Sequence, residues 1–327
     1  MKSSEGKYFA KLDHVRAFAA YLVFVWHFTH LTAQFPVPNA ASPYFPFALL
    51  DEGHTGVALF MTLSGYLFAK LVGREQIVYS HFLWSRLVRL APLLIVVTAA
   101  WYIYGRFGGP PVTIGDIVGA LIFPTLPNGG WSITVEAHFY LIFPILLLLV
   151  RRFGPSALLA ALMAAVLYRL VLWIRDGEVQ TLAYWTIIGR IDQFLLGMFF
   201  CFMPFNARQR AWIAGIAGVS FLVFWQLFDD AGGYYGSTLS HNPVWIIIPT
   251  MEALAYASFI RWYDDSETKL PARLGSVLAV IGEWSYSIYL LHFFFREAMI
   301  GLVGDRVGSA DNFWWALPFA TVCFLVF

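Results

Sequence analysis

"VRAFAAYLVFVWHFTH", Val15 to His30, begins on a valine and an arginine, runs through apolar residues suited to a lipid bilayer, and carries histidines at 27 and 30. A helix needs about 20 mostly apolar residues to cross the hydrocarbon core. Charged and titratable side chains inside that core are costly unless protein or water receives them. The stretch therefore predicts a transmembrane helix with one side turned towards protein or a water-filled space. Arg16 and His27 are eleven positions apart, which at 100° per residue leaves them about 20° apart around the axis and about 16 Å apart along it. Asp13 and His30 fall within about 60° of that face. One polar stripe thus reaches from an Asp and an Arg at one end to histidines nearer the other.

The same pattern recurs along the chain. Of 327 residues, 59% are hydrophobic and 13% charged, with a mean hydropathy of +0.67, far from the balance of a soluble domain. Apolar ranges of spanning length fall at 12–34, 55–72, 86–104, 132–150, 156–174, 183–203, 211–228, 243–261, 277–296 and 313–327. The last, about fifteen residues long, reads as short, tilted or incomplete at the C-terminus. The expectation is an all-α, polytopic integral membrane protein of about ten transmembrane helices, in one membrane-embedded domain over 1–327. Cytoplasmic ends should collect Lys and Arg. With the N-terminus inside, Lys2, Lys7, Lys11, Arg16, Lys70, Arg74, Arg86, Arg89, Arg151, Arg152, Arg208, Arg210, Arg261, Lys269 and Arg273 fall on that side, fifteen of twenty-one. This predicts two cytoplasmic termini.

A formal net charge of +1 and the lack of a Lys/Arg block exclude nucleic acid as a partner. Cys201 and Cys323 have neither metal-ligand spacing nor a disulfide framework. No small-residue cleavage pattern follows Val25, so the first helix reads as retained rather than as a signal peptide.

Several further residues need a reason to be in a membrane. In "SHFLWSRLVRLAP", Arg86 and Arg89 lie three apart and project from one turn. Such a guanidinium pair suits phosphate, although cytoplasmic anchoring is the plainer role for each alone. In "GGWSITVEAHFYLIFP", Glu136 follows a Gly-Gly break and a tryptophan suited to the outer interface, and Tyr140 lies one turn further on the same face. An ion pair of Glu136 with Arg169 or Arg190 is the structural alternative. "GRIDQFLLG" puts Arg190 and Gln193 on one face with Asp192 turned away, and "EWSYSIYLLHF" puts Ser285 and His292 on another. By depth, Arg16, Arg86 and Arg89 form a cytoplasmic layer, while His27, Glu136 and His292 lie from the midplane outwards. The layering points to an anionic donor from inside and an acceptor from outside.

These segments also carry a resemblance. "LDHVRAFAAYLVFVWH", "GVALFMTLSGYL", "FLWSRLVRLAP", "WSITVEAHFYLIFP", "GRIDQFLLG" and "WSYSIYLLH" resemble, in order, the motifs of the acyltransferase-3 family. These are multi-helix membrane enzymes that O-acylate extracytoplasmic sugars and related acceptors. Arg16 and His27 fit the family's pattern of arginine, ten residues, histidine. His14, Ala58 and Ala137 stand where a glycine, an aspartate and a second glutamate are common, so no role of that aspartate carries over.

The resemblance implies an acyl-CoA donor, most simply acetyl-CoA, as substrate rather than resident cofactor, with a carbohydrate or glycolipid acceptor. Arg16, Arg86 and Arg89 are then expected to hold the donor. An imidazole, with an ordinary pKa of about 6.5, suits His27 as general base, with Arg16 on the same rail and Glu136 orienting the ring or the acceptor. Tyr140, Arg190 and His292 are expected on the substrate side. The rival reading is a transporter that uses the intramembrane Arg, His and Glu groups as a proton or anion pathway. It calls for paired, Gly/Pro-broken helices in two corresponding halves, and no such repeat is evident.

Overall fold

A computed structural model describes residues 9–30, 42, 44–72, 79–107, 111–126, 129–236, 241–303 and 313–327. In chain order its helices are α1 (Ala10–Thr29), α2 (Ala48–Asp51), α3 (Gly56–Val72), α4 (Tyr79–Arg106), α5 (Ile114–Ala120), α6 (Trp131–Phe153), α7 (Ala157–Asp176), α8 (Gln180–Trp185), α9 (Ile187–Phe202), α10 (Ala207–Asp230), α11 (Ile248–Asp265), α12 (Ala272–Val303) and α13 (Phe313–Val326). No strand occurs among the described residues. A helix occupies each of the ten apolar ranges, and α4, α6, α7, α10 and the Ala272–Met299 part of α12 are long and apolar enough to cross a membrane by length and composition. The expected positions of Lys2, Lys7, Arg74 and Arg306, and the outer end of the 12–34 range, lie outside the described residues.

The remaining long helices are shorter or more polar for a physical reason. In α1, fourteen of twenty residues are buried, Asp13 and Arg16 included, so this helix is surrounded by protein. On α4, α7 and α10 the reverse holds: Ile95, Val96, Val171, Ile174, Ile216 and Val219 are all exposed. A large exposed apolar surface on a shell of long helices fits contact with lipid. The polar helices occupy the interior, where other side chains rather than hydrocarbon meet their charges.

Close packing of that interior depends on small residues. Gly65 of α3 and Gly197 of α9 face each other's helices, and a Cβ at these positions would lie 2.3 Å from the Phe194 carbonyl oxygen and 2.2 Å from that of Thr62. Only glycine allows the two backbones so near, as at small-residue interfaces between membrane helices.

The buried charges are paired. Arg169 and Asp192, both fully buried, form a two-pronged ion pair at 2.9 and 2.6 Å, and Arg169 also donates to the carbonyls of Ile246 and Gly189. Arg190 and Gln193 both donate to Glu252 Oε2, at 3.0 and 3.2 Å. Neither arginine pairs with Glu136, so that structural alternative does not hold. Arg190, expected on the substrate side, joins α9 to α11 through Glu252 and lies 4.2 Å from the centre of the Tyr184 ring. Removing one partner of such a pair strands a buried charge. Arg169→Ala is expected to destabilise the fold by about 3–5 kcal/mol, read as a lower melting temperature in detergent. An unchanged melting curve would show that the pair is dispensable.

Several of the cations expected on the cytoplasmic side gather at one end of the bundle. Lys70 pairs with Asp264, while Arg210 and Arg261 lie 3.5 and 3.2 Å from Asp265. Lys11 donates to the carbonyl of Tyr263 at 3.0 Å, near the C-terminus of α11, where a helix dipole favours positive charge.

Candidate active site

Four helices, α1, α3, α6 and α12, line two cavities along their length. The smaller, about 100 Å³, is bounded by Arg16 of α1, Ser64 of α3, Glu136 and Tyr140 of α6 and Ser285 of α12, with Arg86 and Arg89 added by α4. Arg86 and Arg89, three apart on α4, line the same space, and Arg16 reaches it from α1. Because α4 begins at Tyr79, Arg86 is seven residues inside it, or about 10 Å. Its guanidinium sits 5.0 Å from the centre of the Phe68 ring, while Arg89 is exposed. Arg16 is buried and ion-paired with Asp13 one turn earlier.

Glu136, expected in a layer with His27, lines the arginine cavity, while His27 lines the other. Ser64 donates to Glu136 Oε1 at 2.9 Å, and Tyr140 is bonded to the same carboxylate. The expected depth assumed that Trp131 marks the membrane interface. Trp131 is in fact buried, packed 4.7 Å from Trp185 and 5.2 Å from Tyr184 between ring centres.

The larger cavity, about 540 Å³, contains His27, His54, Trp26, Trp131, Tyr184, Trp185, Tyr234, Tyr235, Phe293 and Arg296 in its wall. His27 and His292 meet here across α1 and α12, with His292 Nε2 3.1 Å from His27 Nδ1. The hydrogen-bond pattern assigns their tautomers. His292 Nδ1 lies 2.6 Å from the Tyr289 carbonyl, an acceptor, so it carries the proton and leaves Nε2 as an acceptor. His27 Nδ1, 2.8 Å from the Val23 carbonyl, likewise carries the proton. His27 Nε2 is then the basic nitrogen, and the ring lines the cavity. Arg296 Nε donates to the His27 carbonyl at 3.1 Å, holding the end of α1 against α12. His30 is tied into the scaffold: its Nδ1 lies 2.9 Å from the Trp26 carbonyl and its Nε2 3.8 Å from Asp51.

Against this geometry the comparisons are decisive. The family model described as an acyltransferase domain, acyltransferase-3, matches residues 9–327. The chain belongs to the acyltransferase-3 family. It is similar to the O-acetyltransferase OatA of Staphylococcus aureus (strain NCTC 8325 / PS 47), 26% identical over 88% of this chain and 50% of that protein. Peptidoglycan O-acetyltransferase OatA of Listeria monocytogenes is 24% identical over 88% of this chain and 49% of its own length. The putative membrane-bound transacylase BcsY of Komagataeibacter xylinus is 27% identical over 74% and 66%. The chain thus spans about half the length of the OatA relatives it matches. No solved structure matches it. The family domain here is a multi-pass membrane acyltransferase domain.

Some wall residues were not singled out by sequence reasoning. His54 precedes "GVALF" and faces Trp26 and Tyr234 with ring centres 5.4 and 4.9 Å away. Its Nε2 lies 2.9 Å from Glu52, a carboxyl that burial pushes up to about 7 against the opposing pull of His30. Tyr289 also escaped notice, although it lies three residues before His292 on a helix and so close to its face.

Proposed function

We propose that the protein is a membrane O-acyltransferase, most simply an O-acetyltransferase. It moves an acyl group from cytoplasmic acyl-CoA to a hydroxyl of an extracytoplasmic carbohydrate, with ten membrane-crossing helices and both termini in the cytoplasm. The observation that carries this reading is the arrangement of the two cavities: arginines in one, His27 in the other, and the same four helices lining both. Membership of the acyltransferase-3 family supports acyl transfer. Similarity to the peptidoglycan O-acetyltransferase of Listeria monocytogenes supports a cell-wall glycan as acceptor. The aromatic wall of the larger cavity suits the apolar faces of sugar rings, and its volume suits an acceptor unit rather than a whole polymer.

In this reading Arg86 and Arg89 bind the phosphates of CoA, Arg16 adds positive charge deeper in, and Glu136, Ser64 and Tyr140 offer hydrogen bonds to the pantetheine amides. The acceptor hydroxyl oxygen attacks the thioester carbonyl carbon while its proton passes to His27 Nε2. The new C–O bond forms, the C–S bond breaks, and the imidazolium returns the proton to the departing CoA sulfur. A two-step route, in which His27 first takes the acyl group itself, uses the same residues. His292 fixes the ring of His27, a positioning role.

The test is reconstitution of purified protein into vesicles with labelled acetyl-CoA on one face and glycan acceptors on the other. Label is expected in the glycan only when the donor is on the face carrying Arg89. No labelled acceptor from either face would overturn the reading.

A further inference from the structure

Helix α10 ends in a turn that brings Tyr234 and Tyr235 into the wall of the larger cavity. Gly232 and Gly233 open the turn with φ 110° and 58°, values that favour glycine. Their N–H groups close the helix end by donating to the Asp229 and Phe228 carbonyls at 2.8 and 3.0 Å. Both backbone groups of Tyr234 are taken by side chains from distant parts of the chain. Its N–H donates to Glu52 Oε1 at 3.0 Å, and its carbonyl accepts from Gln180 Nε2 of α8 at 3.0 Å. A Cβ on Gly233 would lie 1.6 Å from Glu52 Oε1, so only the missing side chain lets the backbone close over that carboxyl.

The rings placed by this turn form a series that ends at His27. Tyr235 stacks on Trp26 with ring centres 5.5 Å apart and planes 11° apart, and Tyr234 meets Trp26 edge-on at 5.6 Å. Trp26 in turn lies edge-on to His27 at 4.6 Å. Tyr235 is half-buried and Trp26 is buried, so of the two stacked rings the tyrosine keeps the more open surface. Glu52 is itself buried, with its other oxygen 2.9 Å from His54 Nε2. Its carboxyl therefore acts through what it holds.

We propose that Glu52 and Gln180 position the acceptor through this turn: they hold Tyr235 against Trp26 as the surface on which the acceptor's sugar ring stacks beside His27. This rests on the reading that the larger cavity takes the glycan. Tyr235 is then a binding residue, and Glu52 and Gln180 are positioning residues that do not touch the sugar. One aromatic contact is worth up to about 10-fold in affinity.

The experiment varies cell-wall glycan fragments at saturating labelled acetyl-CoA in the vesicle assay, and then varies acetyl-CoA at saturating glycan. Tyr235→Ala and Glu52→Ala are each expected to raise KM for the glycan about 10-fold and to leave KM for acetyl-CoA unchanged. Glu52→Gln keeps an oxygen that accepts from the Tyr234 N–H and restores most of the glycan affinity. Combining Glu52→Ala with Tyr235→Ala should cost no more than the larger single effect, because one residue acts through the other, whereas independent sites would multiply to about 100-fold. Gln180→Ala with Tyr235→Ala supplies the same cycle if Glu52→Ala does not fold. An unchanged glycan KM in Tyr235→Ala, single effects that multiply in the double variant, or equal rises in both KM values in Glu52→Ala would overturn the positioning role. If wild type labels no glycan at all, the proposed function itself has failed, a result distinct from any of these.

Discussion

Replacing His27 with alanine is expected to lower acyl transfer by about 10² to 10⁴-fold, the usual contribution of a positioned general base. Affinity for the CoA donor should be unchanged. The separation follows from the architecture: His27 lies in the wall of the aromatic cavity, while Arg16, Arg86 and Arg89 line the other. His292→Ala should cost less. It removes the partner 3.1 Å from His27 Nδ1 but leaves the 2.8 Å contact to the Val23 carbonyl, which by itself keeps the proton on Nδ1 and the lone pair on Nε2. What is lost is the ring's lateral support, and misplacing a reacting group by about 1 Å costs up to about 10²-fold. The check is a kcat and KM comparison of the two variants with saturating acceptor. If His27→Ala transfers acyl groups at the wild-type rate, His27 is not the base. A larger loss in His292→Ala than in His27→Ala would transfer the role to His292.

The second large effect belongs to the donor side. The double variant Arg86→Ala with Arg89→Ala is expected to weaken CoA binding by about 10²-fold or more, since hydrogen bonds to charged groups contribute about 1.5–3 kcal/mol each. Maximal turnover at saturating donor should change little, the pattern of an interaction made equally in ground and transition states. Lysine at these positions should restore only part of the affinity. It keeps the charge but loses the planar fork that grips a phosphate with two bonds and, at residue 86, the packing 5.0 Å from the centre of the Phe68 ring. Arg16 is less suitable for this test because it is buried and ion-paired with Asp13. Its removal takes an ion-pair partner from a buried carboxylate and lowers stability along with binding. Unchanged CoA affinity in the Arg86 and Arg89 double variant, measured by calorimetry on detergent-solubilised protein, would remove the arginines from the donor site.

How far the sequence could be read depended on whether a feature is local to one helix. Helical periodicity is a property of the backbone alone, so the shared cavity of Arg86 and Arg89 and the neighbouring faces of Glu136 and Tyr140 follow from spacing. The same holds for the positions of apolar helices along the chain, because the length of a span is set by the bilayer and not by the partner it packs against. Motifs in their family order, from "LDHVRAFAAYLVFVWH" to "WSYSIYLLH", were enough to point to acyltransferase-3.

Partners across helices were decided only by the tertiary structure. His27 and His292 are 265 residues apart, and nothing in either helix says that their rings meet. Arg190 and Glu252 are 62 residues apart, and nothing in α9 says that Glu252 stands opposite on α11. Glu136 of α6 meets Ser64 of α3, and Trp131 packs against Tyr184 and Trp185 of α8, contacts that α6 alone does not reveal. The physical reason is common to all three: a buried charge must find a partner, and sequence reveals the need, whereas the identity of the partner depends on which helices pack together. In this protein α1, α3, α6 and α12 do so, and their packing turns the polar stripe of Val15–His30 into one wall of two neighbouring cavities.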